Sequence, residues 1–354
     1  MPNFNLFQDQ GIFSVPMLTA AVNRIPYAPR LIYALGLFTD VPTNTTTPII
    51  ERRFGMRQVL NAAPFGVRNT IYDVPDRKGG VMKTWSANTT SFITKLDTVG
   101  VRRFGTMEIE SVAAVIADRL EWMRQDSVES TIESWRMQAI LGTIVNPDTS
   151  VMVNWYNFFG VMPTVKNYST AAITAPGGNG VRGFCKEVKD AINDVLQGMP
   201  ATGYIGLLGD NAWNELFKAE EIKEAYKYRT IGATALSTQW IQQIPGSPNP
   251  NQTTIDFNSL ANVFDYAGIT FMNYRASVDF PTNKAVFFPT GVRDMFQSVL
   301  SPSSLITEQG EMGMPFYALT YPKEDGSGIG VYVESNRIEV NALPEACIQS
   351  TFGA

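Results

Sequence analysis

The sequence predicts an α+β fold, and three features of its order lead to that prediction. A long polar hairpin is expected over residues 45–96, one helical hydrophobic period runs over 106–141, and the rest alternates helix with strand before ending as strand after strand. Helices and strands that are grouped along a chain in this way are typical of α+β proteins. With 354 residues the chain exceeds the ~250 to 300 at which a single core stops growing, so at least two folding units are expected.

Residues 1–44 are predicted to form an arm that carries one short helix. Ser14 is placed to cap the helix, Pro16 suits its first turn, and the pair Ile25-Pro26 ends it. The arm holds many apolar groups for irregular backbone, so it is expected to pack on a protein surface. That surface is either its own subunit or a neighbouring subunit. For the second alternative the predicted interface residues are Phe4, Phe7 and Phe13.

Residues 45–96 are predicted to form one long hairpin, with strands at 45–60 and 81–96 joined by a centre rich in turn residues. The strands are polar, and a hairpin without other contacts is marginally stable in water. We therefore expect this hairpin to lie across an adjacent subunit, with a flap over its own subunit as the alternative. Its basic side chains are expected to pair with carboxylates of the neighbour rather than to bind phosphate. The predicted interface residues are Arg52, Arg53, Arg57 and Lys83.

Residues 97–175 are predicted to form a domain around the long helix at 106–141. Apolar residues recur along this helix mostly in steps of three and four, which keeps them on one stripe and predicts that this face is buried. The step of five from Met123 to Val128 breaks the phase. A kink is therefore expected between these two residues.

Several side-chain roles are predicted along this helix. Thr106 is expected to cap its start, and Gly142 to take the left-handed conformation just past its end. Asp126 with Glu129 is expected to form a second capping box at the kink. Two ion pairs at i,i+3 spacing are expected on the surface, namely Glu121 with Arg124 and Glu133 with Arg136.

Residues 176–300 are predicted to form an α/β domain, and residues 301–354 to return as strands to both domains. Asp210 is expected to cap the second helix of the α/β domain. The predicted helices after the long helix span 186–197 and 210–228, and the predicted strands span 151–162, 204–208, 254–257, 268–274, 285–289, 316–320, 329–333, 338–341 and 346–350.

The composition narrows the class of function. The chain has no histidine, which removes Ser-His-Asp and Cys-His triads, histidine bases and most zinc sites, while carboxylate, Lys or Tyr chemistry stays open. The net charge of −5, with no long basic run, argues against a protein that grips nucleic acid. Charged residues make up 17% of the chain, against the usual ~25%, as expected for a surface that neighbours cover.

Two further patterns concern location and thiols. No apolar run approaches the ~18 residues of a membrane span and the start of the chain has no signal-peptide pattern, so the chain is expected in the cytoplasm when it is made.

Cys185 and Cys347 have neither metal-binding nor redox spacing. Both are predicted to be free, buried thiols.

One motif literally matches a dinucleotide-binding fingerprint, the sequence GNGVRG at residues 178–183. That fingerprint works when its first glycine ends a buried strand, so that the following helix points its amino terminus at a pyrophosphate. The preceding residues 170–176 contain one large apolar side chain and end with a proline, which is unlike a central strand. A flexible linker is the preferred interpretation. A nucleotide-cofactor enzyme that uses residues 178–210 stays as the alternative.

Six short segments carry a family resemblance: VRRFG at 101–105, AILG at 139–142, the strand and helix at 203–230, FFP at 287–289, YPK at 321–323 and ESNR at 334–337. Together with the order of elements, they resemble the lambda-type major capsid protein (capsid protein E) family of tailed phages, which has the Hong Kong 97 capsid fold. The five ranges above would then be the amino-terminal arm, the extended-loop hairpin, the peripheral domain with its spine helix, the axial domain and the returning strands.

The resemblance implies a subunit that is not an enzyme, has no cofactor or metal, and assembles with itself into the hexamers and pentamers of an icosahedral head around double-stranded DNA. It implies a virion location after assembly in the host cytoplasm. Scaffolding and portal proteins, and in some relatives a decoration protein, are the implied partners. No motif assigns a crosslinking pair of Lys and Asn, so a noncovalent shell is predicted. An encapsulin-like compartment with the same fold is the alternative.

Overall fold

The computed structural model describes residues 15–27, 30–53, 77–94, 97, 112–169, 180–229, 262–274, 280–305, 311–323 and 326–352. In this part of the chain, two five-stranded sheets and two two-stranded ribbons combine with helices, which confirms the predicted α+β class. The helices are α1 Val15–Arg24, α2 Leu31–Ala34, α3 Val112–Trp122, α4 Glu129–Ile140, α5 Trp155–Phe159, α6 Gly180–Leu196, α7 Asp210–Lys218 and α8 Glu220–Arg229, with a π-helix at Met123–Val128 and a 3-10 turn at Pro344–Ala346. The strands are β1 Thr39–Pro42, β2 Ile49–Arg53, β3 Arg77–Val81, β4 Trp85–Thr94, β5 Thr143–Val145, β6 Val151–Asn154, β7 Gly203–Leu208, β8 Val263–Tyr266, β9 Ile269–Asn273, β10 Lys284–Thr290, β11 Phe296–Leu300, β12 Tyr317–Pro322, β13 Gly328–Asn341 and β14 Ile348–Thr351.

The first sheet is organised by β13, a strand of 14 residues. β4 pairs antiparallel along one side of it, β12 and β11 follow one another along the other side, and β1 joins β11 in parallel. The α3 helix, the π-helix and α4 all contact β13, so the long helix lies against this sheet. Because β13 has strands on both sides and the long helix against it, all its residues from 333 to 341 are buried.

The second sheet has the strand order β14-β10-β7-β9-β8, in which only β7 and β9 are parallel. Its strands β7, β9 and β10 are short, mainly apolar runs, and every residue of β9 is buried. α6 packs on β10 and β14, and α7 packs on β7 and β10. The strands predicted at 204–208, 268–274 and 285–289 are confirmed here, whereas the one predicted at 254–257 lies outside the described residues.

The phase break in the long helix marks one turn of π-helix. In a π-helix residues five apart stack on one another, so Met123 and Val128 both stay on the buried stripe, with 8% and 1% of their surface exposed. The second capping box predicted for Asp126 with Glu129 is wrong, because the helix continues and α4 starts with no side-chain cap. Gly142 has φ of +84°, as predicted, and a side chain there would also collide with a ring. Thr106 lies outside the described residues.

Residues 151–162 form one strand and one helix rather than the predicted strands. The Asn154 side chain accepts a hydrogen bond of 3.0 Å from the backbone N–H of Asn157, which caps α5 at its start. Gly160, with φ of +66°, ends the helix in the left-handed conformation. The cap and the glycine override the strand preference of the intervening aromatic residues, and Trp155 becomes fully buried.

Two helix bounds in the second half of the chain differ from the prediction. α6 starts at Gly180 rather than at residue 186, so the predicted flexible linker is wrong from that glycine onward. The single helix predicted over 210–228 is two helices, because Ala219 adopts an extended conformation with ψ of 126°. Asp210 lies in the first turn of α7 instead of capping it, and its carboxylate accepts a hydrogen bond of 2.8 Å from the Asn273 side chain.

The two cysteines are buried, free thiols, as predicted. Burial raises the pKa of Cys185 to about 12 and that of Cys347 to about 12. At pH 8 the reactive thiolate is then roughly one ten-thousandth of each thiol. We expect Ellman's reagent to modify neither cysteine in the folded subunit and both in guanidinium chloride. Rapid modification of either cysteine before unfolding would contradict this burial.

Candidate functional site

The hairpin foot, which we define as residues 46–53 and 77–84, joins the predicted hairpin to the body of the subunit. β2 and β3 pair antiparallel, and two further backbone hydrogen bonds extend this ladder to residues 46 and 84. Beyond residue 84 the chain leaves the ribbon, because β4 pairs with β13 instead. The second arm predicted at 81–96 is therefore wrong past residue 84. The part of the hairpin over 54–76 lies outside the described residues.

The inner face of the foot is fixed to the body by one apolar and one charged residue. Ile50 is buried in a small cluster with Trp155 and Phe159. Arg52 is 3% exposed, lies 5.2 Å from the ring centre of Phe159, and pairs with Glu345 at 2.9 Å. The predicted pairing of Arg52 with a neighbouring subunit is thus corrected, because its carboxylate partner belongs to the same chain. The ion pair and the cluster hold the foot in one orientation.

The outer face of the foot presents apolar side chains to solvent. Ile49 and Val81 are directly opposite each other on β2 and β3 and are 70% and 64% exposed. Lys83, which follows β3, is also exposed. Because side chains alternate between the faces of a ribbon, Ile49 and Val81 point away from the body that holds Ile50 and Arg52. The other predicted interface positions lie outside the described residues, namely the side chain of Arg53 and all of Arg57, Phe4, Phe7 and Phe13.

The arm seat, which we define as the π-helix together with Glu129 and Glu133, binds the amino-terminal segment. Arg124 is fully buried, and its Nη1 donates to the backbone carbonyls of Val22 and Ile25 at the end of α1. Its Nε lies 2.9 Å from a carboxylate oxygen of Glu129. Residues five apart face each other on a π-turn but not on an α-helix, so the π-helix brings these two charges together.

Aromatic rings and a second acid complete the arm seat. The Arg124 guanidinium lies 4.6 Å from the ring centre of Tyr27 and 4.4 Å from that of Phe316. The carboxylate of Glu133 accepts hydrogen bonds from the backbone N–H groups of Ile32 at 2.7 Å and Tyr33 at 3.2 Å, and so caps α2 from outside. Burial raises the pKa of Glu133, while these two donors oppose the shift.

The described arm residues Val22, Ile25, Tyr27, Ile32 and Tyr33 thus contact their own long helix. Of the two alternatives for the arm, packing on its own subunit holds for this stretch. Packing on a neighbour stays a prediction for Phe4, Phe7 and Phe13, which lie outside the described residues.

A second buried charge cluster ties the same helix to the first sheet. The Nε of Arg136 lies 3.4 Å from a carboxylate oxygen of Glu339, and Arg337 reaches the same carboxylate at 3.6 Å. Ser298 donates its hydroxyl to Glu339, and Asp40 lies 3.8 Å from Arg136. Glu339, Arg136 and Arg337 are almost fully removed from water. Each buried charge is therefore tolerated only because it is paired within the subunit.

The ion pairs predicted on the helix surface are wrong, because their arginines are buried and pair elsewhere. Arg124 pairs with Glu129 rather than Glu121, and Arg136 pairs with Glu339 rather than Glu133. Sequence reasoning missed that these buried arginines tie the arm and the first sheet to the long helix. For the first pair a signal was present, since Arg124 and Glu129 repeat the five-residue step that marks the π-helix.

The glycine motif opens α6, but the chain's own carboxylate occupies the helix terminus. Glu221 accepts a hydrogen bond of 2.6 Å from the backbone N–H of Val181 and another of 2.7 Å from the Tyr266 hydroxyl. Burial raises the pKa of Tyr266, and its hydrogen bond to Glu221 raises it further. A pyrophosphate at this terminus would meet that negative charge. Upstream of the motif, Val165 and Tyr168 form single bridges to Gln349 and Phe352 at the edge of the second sheet. They are not part of a central strand, which the fingerprint would need before its first glycine.

Within the described ranges, no three side chains of the metal-binding types come together. Searching the helices of the same ranges finds none that is long and apolar enough to cross a membrane. A small cavity lies between the arm and the long helix, lined by Tyr27, Arg30, Tyr33, Glu133 and Arg136 among others.

Comparisons with known proteins agree with each other. A sequence model of the family described as phage major capsid protein E matches residues 14–352. The major capsid protein of Pseudomonas phage KPP10 is 23% identical, and the match covers 96% of this chain and 97% of that protein. The crystal structure of a capsid protein from a prophage of E. coli CFT073 superposes with a TM-score of 0.54 at 10% identity, covering 96% of this chain and 99% of that one. The cyanophage Pam1 capsid gives a TM-score of 0.47 at 12% identity, covering 94% of each chain.

Proposed function

We propose, from the premise that this chain belongs to the phage major capsid protein E family, that its copies assemble into the hexamers and pentamers of an icosahedral shell around double-stranded DNA. The chain is a structural subunit of a phage head and has the Hong Kong 97-like capsid fold, as its sequence predicted. The observation that carries the proposal is the hairpin foot. Its inner face is fixed to the body, and its outer face exposes an apolar pair.

The fixed foot supports an assembly role because it orients the base of the predicted hairpin. A flexible hairpin would lose conformational entropy each time it bound a neighbour, at about 1 to 2 kcal/mol per ordered residue. The buried pair of Arg52 with Glu345 orders the base of the hairpin before any neighbour arrives. Preorganisation of this kind strengthens association without any new contact.

The exposed pair of Ile49 and Val81 supports the same role. Burying one large aliphatic side chain contributes about 1.5 to 3 kcal/mol, so covering both gives a weak contact for two isolated subunits. A total of about 4 kcal/mol would give a millimolar Kd before the cost of association is subtracted, so two isolated subunits bind through this pair more weakly still. In a closed shell every subunit both gives and receives such contacts, so individually weak contacts stabilise the whole.

The shell proposal also includes packaged DNA, other proteins of the particle and a location. A mildly acidic chain, with net charge −5, would hold packaged DNA without strong phosphate contacts, which suits both packing and release. The family resemblance is the ground for proposing a scaffolding protein, a portal and a decoration protein as partners. It is also the ground for proposing assembly in the host cytoplasm. The shell is proposed to be noncovalent.

Two other functions compete with this proposal. An encapsulin-like compartment would have the same fold but enclose an enzyme instead of DNA. A nucleotide-dependent enzyme built on residues 178–210 is disfavoured, because Glu221 holds the helix terminus that a pyrophosphate would need.

The test is to purify particles from cells that express the chain with its scaffold and to examine them by negative-stain electron microscopy. We expect closed angular shells that release a single band near 39.1 kDa when heated in SDS, because no covalent crosslink is predicted. A ladder of higher bands would contradict the noncovalent shell. A uniform monomer or dimer would contradict assembly altogether, and an enclosed enzyme in place of DNA would favour the compartment.

A further inference from the structure

The outer edge of β4 lacks a partner strand within the described part of the chain. β4 pairs with β13 along its entire length, from Trp85 opposite Arg337 to Thr94 opposite Gly328, with no bulge. On its other side, the described residues supply neither a strand nor a further backbone hydrogen bond. At Thr94 the N–H donates to the Asp97 side chain. In an antiparallel pair alternate residues direct their N–H and C=O groups away from the partner, so about half of the backbone groups of β4 face outward.

This edge carries none of the features that usually protect an edge strand. Natural proteins keep edge strands short or place charges, prolines or bulges on them, because an open edge pairs with other chains. β4 has ten residues, WSANTTSFIT, with no charge and no proline. The other edges of the two sheets are different. β1 is four residues long with Asp40 and Pro42, and β8 is four residues long with Asp265. α1 covers β12, where the Thr19 hydroxyl accepts a hydrogen bond from the Ala318 N–H, and residues 165 and 168 bridge to the β14 side. Among the described strands of these sheets, the long uncharged edge is therefore specific to β4.

The surroundings of the edge favour a second copy of this chain as its occupant. β4 follows the hairpin foot directly in the chain, so its edge begins one residue after the segment that exposes Ile49 and Val81. In a shell, identical subunits lie side by side, and a neighbour is always within reach. Backbone pairing also needs no charged partner, which suits a strand whose exposed side chains at Ser86, Asn88 and Thr90 are small and neutral.

We propose that, in the assembled shell, a strand from a neighbouring copy of this chain adds to the outer edge of β4 and continues the first sheet across the subunit boundary. The main-chain hydrogen bonds supply the attraction, and the absence of charge on β4 lets the neighbour approach. This inference rests on the proposed shell assembly. It goes beyond that proposal because it names the element that pairs and the type of contact.

Hydrogen exchange of the full-length chain, as unassembled subunits and as shells, tests the inference. In unassembled subunits we expect about half of the amides of residues 85–94 to exchange quickly, namely those that face away from β13. In shells we expect the same amides to become protected. β10 serves as the internal control, because it has strands on both sides within the subunit and should be protected in both states.

The outcomes separate this inference from the function on which it rests. Electron microscopy of the same samples reports independently whether shells form, and their absence would overturn both proposals. If shells form but the outward-facing amides of β4 still exchange quickly, only the strand pairing is overturned. The same holds if these amides are already protected in unassembled subunits. Protection that appears only when the scaffold is present would assign the edge to another occupant and overturn the inference.

A charge placed on the edge provides a second readout. Thr90→Lys adds a lysine to an exposed position of β4, and Thr39→Lys adds the same side chain to an exposed position of β1, an edge that already carries Asp40. We expect Thr90→Lys to raise the subunit concentration needed for assembly by about tenfold or more, and Thr39→Lys to leave it unchanged. Both variants should keep the Tm of the unassembled subunit. Equal effects of the two lysines on assembly would contradict a specific role for the β4 edge.

Discussion

Replacing Arg124 with methionine is expected to lower the free energy of unfolding of the unassembled subunit by about 3 to 5 kcal/mol. The change removes the guanidinium that lies 2.9 Å from the buried carboxylate of Glu129. It also removes the donor that the carbonyls of Val22 and Ile25 share, and the cation that Tyr27 contacts. The arm should therefore loosen together with the helix.

Urea unfolding followed by tryptophan fluorescence measures this loss. The double variant Arg124→Met/Glu129→Met should recover part of it, because two apolar side chains then replace the buried ion pair, while the carbonyls of Val22 and Ile25 still lack their donor. Arg119→Met is the matched control on the same long helix, since Arg119 is part-exposed and lies 3.9 Å from Asp97. That control should lose less than about 1 kcal/mol. A similarly small loss for Arg124→Met would show that the arm seat contributes little to stability.

Replacing residues 54–76 with Asn-Gly is expected to abolish closed shells while leaving the subunit folded. Arg53 and Arg77 are paired across the ribbon, so a two-residue turn can connect them without disturbing the foot. Gly79 and Gly80 are kept, because they belong to β3 and Gly80 packs against the ring of Phe158. Residues 54–76 belong to the segment predicted to lie across a neighbour, so their removal should take away that contact while the foot stays intact.

Sedimentation and electron microscopy measure shell formation by this variant, and urea unfolding should give a free energy within about 1 kcal/mol of the parent. Replacing residues 146–150 with the same Asn-Gly turn is the matched control, since they connect the short ribbon of β5 and β6. That control should still form shells. Normal particles from the 54–76 replacement would exclude the hairpin from assembly.

The sequence was sufficient where an element's pattern follows from burial alone. β7, β9 and β10 are apolar runs bounded by turn residues, and α6 keeps one buried stripe, so their existence could be predicted from composition and period. The family could be predicted because its short motifs persist along the whole chain. The existence of α5 could not be predicted, because the aromatic residues suit either a strand or a helix and the local cap at Asn154 decides for the helix.

The candidate site was harder to predict because its partners are distant in sequence. Arg52 pairs with a glutamate nearly 300 residues later, and Arg136 with one about 200 residues later. Spacing along one helix favoured surface pairs at i,i+3 because such pairs are local. The packing of the long helix on β13 buries Arg136, and the packing of β2 beside Phe159 buries Arg52, so the partner of each arginine is decided by the fold and not by local spacing.

The π-helix makes the register of the long helix depend on a single residue. Each residue of an α-helix turns the following chain by about 100°, so if residues 123–128 formed a regular α-helix, the five-residue step from Met123 to Val128 would carry the stripe of Ile132 and Trp135 about 140° away from the sheet. Removing one residue from 124–127 would shorten the step to four, and a regular α-helix would then keep the stripes of α3 and α4 on the same side. Single-residue deletions should therefore be tolerated better here than elsewhere in the long helix. Relatives in which this helix is regular should align with a one-residue gap at this point.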